Sequence, residues 1–165
     1  MSDLPSYPES AAEREEAQRP PGGDIVLSGW WRRAGALVID SLLVFAVIAV
    51  VFGLAFGVAA VDETIGGILL LLAIVFALAG PIWYWIYYTG RAPGQTVGKK
   101  ALGIRVRNAD EDRPIGYGAA AGRYLITVVF GIFYIPALLD YLWPLWDARN
   151  QSLHDKVVNS IVVRA

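Results

Sequence analysis

Four ionisable side chains stand where the surrounding sequence makes charge costly. Asp40 lies inside the apolar run 34–61 with Arg33 at its edge, and Arg123 and Asp140 lie inside a later run, 119–146. A carboxylate near the centre of a bilayer costs about 2.5–3.5 kcal/mol on insertion scales, and less nearer the interface, so something must offset it. Such a carboxylate either binds a cation or carries a proton, or it pairs with an arginine and fixes helix register. Both readings stand for Asp40. If the helix enters lipid near Ala34, Asp40 is ~9 Å deep at ~1.5 Å per residue. Arg33 precedes it by seven residues, on the same helical face and ~10.5 Å away along the axis. Helical side chains lean toward the N-terminus, which tilts Asp40 toward Arg33. Ser41, a water or Arg123 would complete that network. Asp140 would share a polar cavity with Asp40, Arg33 and Arg123 if the later run packs on the first, or would lie at an interface if that run breaks at Pro136.

Other chemistry lacks its residues. Gly94-Gln95-Thr96-Val97-Gly98-Lys99-Lys100 has three residues between its glycines and no hydroxyl after the lysine. The nucleotide-binding P-loop needs four, followed by Ser or Thr to hold Mg²⁺. The stretch therefore reads as a flexible turn whose lysines touch lipid phosphates. His154 is the single histidine and there is no cysteine, so a thiol nucleophile is excluded and a zinc site would need carboxylates for most of its ligands. His154 beside Asp155 suits a proton relay less well than a helix cap or surface position. No Ser/His/Asp arrangement has supporting context. The expectation is a non-enzyme without cofactors.

The elements that position these residues follow from hydropathy. Run 34–61 has 28 residues and run 65–88 has 24, and the second carries no charge. About 20 residues span the ~30 Å hydrocarbon core. Only Asp62-Glu63-Thr64 separates the runs, which predicts an antiparallel transmembrane hairpin. Trp30-Trp31-Arg32-Arg33 precedes it, and Trp83, Tyr84, Trp85, Tyr87 and Tyr88 form an aromatic belt at its far end. Lys and Arg cluster before the first run and after the second, with none between them. The positive-inside rule then places the N-terminus and the segment after Tyr88 in the cytosol. Gly131, Pro136 and Pro144 interrupt the third region, predicting either one kinked span or two half-length helices that enter and return. Ile104-Arg105-Val106-Arg107 alternates as a strand does, and Ser160-Ile161-Val162-Val163 would pair with it if both lie on one side. The fold class expected is an all-α membrane protein with a small cytosolic β-like element from linker and tail. Gly53/Gly57 and Gly118/Gly122 have the spacing of close helix contacts. No internal repeat is visible in the residue pattern.

Composition agrees. Of 165 residues, 56% are hydrophobic and 18% charged, against roughly 45–50% and about 25% in soluble domains. Mean hydropathy is +0.47. The net charge of −1 disfavours a nucleic-acid partner, which demands a basic face. Residues 1–24 hold six acids, two bases and four prolines. They read as a disordered acidic tail rather than a signal peptide, with residues 25–165 as the membrane domain. The partners expected are the bilayer and its anionic lipids.

Three ordered blocks resemble the RDD family of small membrane proteins: Trp31 to Asp40, Gly94 to Val106, and Leu145 to Lys156. The family is named for one Arg and two Asp, and the resemblance assigns these roles to Arg33, Asp40 and Asp155. Asn159-Ser160 depart from the Gly-Thr often found before the final valines. The resemblance implies a bacterial multi-pass inner-membrane protein that transports an unspecified ligand. In that reading Asp40 is the ion or proton site, Arg33 its partner, and Asp155 a gate or latch. Three apolar segments are too few to enclose a pathway, so a homo-oligomer or a partner is required. The rival reading is an accessory or scaffold protein in which the same residues are structural.

Overall fold

The computed structural model describes residues 25–165; the acidic tail, 1–24, lies outside them. Two long helices, α1 (Trp30–Ala59) and α2 (Glu63–Gly90), form a hairpin. The Asp62 side chain caps α2 by accepting the Ile65 N–H at 2.9 Å. Gly66 admits the turn: a Cβ there would fall 2.1 Å from the Ala59 Cα. Both helices are long and apolar enough to cross a membrane, and almost none of their apolar stretches is buried inside the protein. Phe45 is 71% exposed and Leu54 68%. A soluble protein seldom exposes so continuous an apolar surface, so the hairpin fits a membrane protein.

The third apolar region is not one helix. It divides into α4 (Gly116–Ile132) and α5 (Tyr134–Leu142), followed by a 3-10 turn, Trp143–Leu145. Phe133 breaks it with an extended backbone, φ −112° and ψ 115°. Arg123 before the break and Asp140 after it both meet His154, so the chain doubles back. At ~1.5 Å per residue, α5 is far shorter than the hydrocarbon core.

The small polar layer is built from α3 (Val97–Ala101), β1 (Ile104–Asn108), α6 (Leu153–Val157) and β2 (Ser160–Arg164). The strands pair antiparallel, with Val106 opposite Val162 and Arg105 opposite Val163. Leu27 bridges to Val163, and the Ser28 N–H donates to the Val162 carbonyl at 2.8 Å. Ile104, Val106 and Val162 bury fully or nearly so against Ala36, Ile115 and Ala120. The apolar core therefore sits where the ribbon crosses α1 and α4, at the Trp30 end of the hairpin, and linker and tail share one side.

The folded chain does contain a repeat. Residues 94–106 and 150–162 superimpose in role at an offset of 56 (Gly94 to Asn150). Gly94 and Asn150 have positive φ, as do Gly103 and Asn159. Thr96 and Ser152 cap α3 and α6 with identical backbone angles, φ −74° and ψ 171°. The Gln95 side chain donates to the Ile104 carbonyl at 2.9 Å, and Gln151 donates to Ser160 at the same distance. Val106 and Val162, equivalent by this offset, are also strand partners, which places a pseudo-twofold axis between the strands. Gly35 of α1 faces Leu102 and Gly122 of α4 faces the equivalent Val158. The protein is thus two halves of one plan, a helical hairpin, a short helix and a strand, with the second hairpin shortened. Only Gln95, Lys100 and Val106 keep their identity in the second copy, too little for a residue pattern to reveal it.

The register is testable because the chain has no native cysteine. Arg105→Cys with Val163→Cys is expected to form a disulfide on mild oxidation, since directly opposed residues meet the Cα spacing the bond requires. Arg105→Cys with Val162→Cys is expected not to, because a one-residue shift points the pair to opposite faces.

Candidate functional site

Asp155 is the centre of the polar layer. Its side chain is fully buried and salt-bridged on both oxygens. Arg33 Nη1 donates to Oδ2 at 2.7 Å, and the Arg123 guanidinium donates to Oδ1. The Ser152 N–H gives a further bond to Oδ2 at 3.1 Å, and the Ser160 hydroxyl one to Oδ1 at 3.1 Å. Local sequence prepares this: Ser152 caps α6 by accepting the Asp155 N–H, and Asp155 returns its side chain to the Ser152 N–H as a capping box. Burial alone would raise the Asp155 carboxyl. The charge of Arg123, then His154 and Arg33, with the Ser152 N–H, outweighs it and holds the group well below the usual carboxylate range.

Asp40 stands in a different network. Its Oδ1 accepts from the Gly98 N–H at 2.6 Å and from the Tyr84 hydroxyl at 2.7 Å, and its Oδ2 accepts from the Thr96 hydroxyl at 2.5 Å. The Gly-rich loop does cradle an anion, but that anion is a carboxylate of α1. Gly98 is obligatory for this approach, because a Cβ would lie 2.2 Å from the Ala36 carbonyl oxygen. Arg33 is therefore the partner of Asp155, not of Asp40 as the helical spacing implied. Asp40 finds nearer donors in the loop docked over it, and Arg33 turns to the tail.

Asp140 on α5 completes the arrangement. Its Oδ1 accepts from the His154 N–H at 2.8 Å and its Oδ2 contacts His154 Nδ1 at 2.7 Å. His154 Nε2 lies 3.2 Å from Arg123 Nη2. The histidine bridges the buried acid of α5 and the arginine of α4, a role its sequence context did not signal. By the repeat, Asp140 is equivalent to Tyr84 and His154 to Gly98. In each half the backbone N–H two residues past the cap donates to a carboxylate on an apolar helix.

Arg33, Asp40, Arg123 and Asp140 all line one cavity of about 380 Å³ between α1, α2, α4 and α5. Asp155 lies behind it, paired to two of its walls. Lys99, expected at a lipid surface, lines the cavity instead. Burial, and after it the charge of Arg123, pushes its ammonium down to about 8. Tyr84, Thr96 and Ser160 are site residues that sequence reasoning did not single out as such; it did weigh Lys99 and His154, but set the one at a lipid surface and the other at a helix cap or surface position. For the tail, the resemblance already pointed to Asp155, and the spacing of Ser152 and Asp155, a capping-box signature, was a second available signal. Among the described residues no group of three or more metal-ligating side chains gathers.

Removing one partner of a buried ion pair costs about 3–5 kcal/mol. Asp155→Ala is expected to destabilise the detergent-purified chain by that amount, read as chemical unfolding. Because the folded carboxyl is held low, the stability it supplies is complete above the unfolded carboxylate value, ~3.9, and is lost only as pH falls toward the folded one. The difference between wild type and Asp155→Ala is therefore expected to be present in full at pH 5 and to shrink only in strong acid. A difference below about 1 kcal/mol at pH 5 would contradict the assignment.

Known proteins resemble this chain over part of its length. A proline-rich antigen homolog of Mycobacterium tuberculosis is 32% identical over 99 residues, covering 60% of this chain and 40% of that protein. The proline-rich antigen of Mycobacterium leprae is 30% identical over 97 residues, covering 59% of this chain and 37% of that one. The match thus spans about two fifths of the length of these relatives. No solved structure matches. The profile of the RDD family matches residues 27–159, a span that takes in Arg33, Asp40 and Asp155, and the chain belongs to the RDD family.

Proposed function

We propose that this chain is a non-catalytic accessory or scaffold module of the cell membrane, multi-pass, with its N-terminus, linker and tail on the cytosolic face. In this reading α1 and α2 cross the bilayer, α4 and α5 enter and return, and the β1–β2 ribbon lies at the cytosolic surface. Lysine and arginine placement supports the orientation: Arg32 and Arg33 precede α1, and Arg91, Lys99, Lys100, Arg105 and Arg107 follow α2. The observation that carries the structural role is the occupancy of Asp40. Both its oxygens are taken by Thr96, Gly98 and Tyr84, so the carboxylate docks α3 onto α1 rather than waiting for a cation. The apolar surface of the hairpin is free for lipid and for a second copy or another membrane subunit.

One observation favours the transport reading. The cavity gathers Arg33, Asp40, Arg123 and Asp140 between the two halves, where transporters built from repeats place their sites. A single copy is still too small to enclose a pathway, so that reading requires an oligomer.

Asp40→Asn separates the two. Losing a charge-assisted acceptor costs roughly 1.5–3 kcal/mol, so the scaffold reading expects lower abundance or incomplete assembly. Ion flux in proteoliposomes is then expected to match wild type when normalised to protein. Normal abundance with flux abolished would overturn it in favour of transport.

A further inference from the structure

The cavity between the halves carries no net charge. Its cations are Arg33, Arg123 and Lys99, answered by Asp40 and Asp140 in the wall and by Asp155 behind it. Each oxygen of those three acids already accepts a hydrogen bond from within the chain. The Arg33 nitrogens that lack a partner have no accessible surface. What the space does offer is uncharged. Thr89, Tyr124 and Tyr141 line it, and among the described residues none of their hydroxyls has a hydrogen-bond partner. Unlike the Arg33 nitrogens, these oxygens keep accessible surface.

The shape of the second hairpin sets where an occupant comes from. Trp30 Nε1 donates to the Tyr141 carbonyl at 2.9 Å, and the two rings meet edge to face at 5.3 Å. That contact joins α1 to α5 at the Trp30 end. Farther along, α5 runs out: it has nine residues where α1 has thirty. Leu37 and Ser41 of α1 line the cavity, and Phe45, one turn beyond Ser41 on the same face, is exposed. The cavity wall therefore continues as the apolar surface that the hairpin gives to lipid. At about 380 Å³ the space falls within the ~300–1,000 Å³ of small-molecule sites, which combine an apolar lining with a few polar anchors.

We propose that this cavity binds an uncharged, lipid-soluble molecule whose carbonyl oxygens accept from the free hydroxyls of Thr89, Tyr124 and Tyr141. Its apolar chain leaves between α1 and α5, along Leu37 and Phe45. A hydroxyl taken out of water without a partner is costly, and a carbonyl removes that cost without bringing charge. A charged head would give up its hydration and find no free counter-charge. The shared chemistry is a carbonyl on an apolar body; it arrives as an acylglycerol ester or as a quinone. The inference rests on the membrane placement proposed above and holds whether the module is a scaffold or part of a transporter.

The test uses the full chain in phosphatidylcholine vesicles. The probe is a monoacylglycerol with a photoreactive diazirine in its chain, and mass spectrometry maps the label. Monooleoylglycerol, decylubiquinone, oleate and oleylamine are the competitors. Tyr124→Phe with Tyr141→Phe removes two hydroxyls that bond nothing within the chain and keeps both rings, so folding is expected to be unaffected. Tyr134→Phe is the control, an exposed tyrosine outside the cavity lining. Saturable labelling of cavity-lining residues is expected, displaced by monooleoylglycerol and not by oleate or oleylamine. Affinity should fall at least about fivefold in the double variant and stay unchanged in Tyr134→Phe. Stronger displacement by decylubiquinone than by monooleoylglycerol, with the same variant pattern, would support the site with a quinone as its source. Labelling that does not saturate, equal displacement by oleate or oleylamine, or equal affinity in wild type and the double variant would overturn it. Release of the chain from the vesicles by alkaline carbonate would overturn the membrane placement itself, and the inference with it.

Discussion

The polar layer depends on one buried carboxylate held between two guanidinium groups. Asp155 cannot sit without solvent unless both charges and hydrogen bonds answer it, and removing any one leaves the others uncompensated. Arg33 comes from the start of α1, Arg123 from α4 and Asp155 from α6. The triad therefore joins the first hairpin, the second and the tail at a single point. The Ser152 capping box presents the carboxylate, and Ser160 closes the same oxygen from the start of β2. Ribbon pairing and core burial of Ile104, Val106 and Val162 follow from that position.

Asp40 solves the same physical problem with neutral donors. The first turn of α3 has orphan N–H groups, and the Gly98 N–H finds its acceptor in a carboxylate on an apolar helix. In the other half His154 N–H meets Asp140 in the same way. Two short helices are docked on two hairpins by one device, and a pseudo-twofold axis relates them. The halves then differ where charge matters. Lys99 and Asp155 hold equivalent places with opposite sign, so the layer is symmetric in backbone and asymmetric in electrostatics.

The long hairpin could be read from sequence because uninterrupted hydropathy leaves few alternatives. The helix ends fell within four residues of the expected ones, and the aromatic and basic flanks marked them. Alternation marked residues 104–107 as a strand and an apolar run marked 160–163, but their pairing stayed conditional on both lying on one side, which the fold supplies. The partner of Arg33 was misread because helical spacing ranks contacts within one element and is silent about a tail more than a hundred residues away. Asp40 illustrates the same limit, since its donors come from a loop that the periodicity of α1 cannot place. The repeat escaped notice because positive φ accepts Gly or Asn, and a cap accepts Thr or Ser, so conformation was kept while identity was not. His154 looked like a helix cap or surface residue because Asp155 and Lys156 follow it in a polar tail. Its actual surroundings come from α4 and α5.

The central claim is that Arg33 belongs to Asp155 and not to Asp40. A double-mutant cycle on unfolding of the detergent-solubilised chain measures this directly. Arg33→Gln with Asp155→Asn is expected to show a coupling energy of about 1–3 kcal/mol, and Arg33→Gln with Asp40→Asn additivity within about 0.5 kcal/mol. Additivity in the first pair with strong coupling in the second would contradict the account.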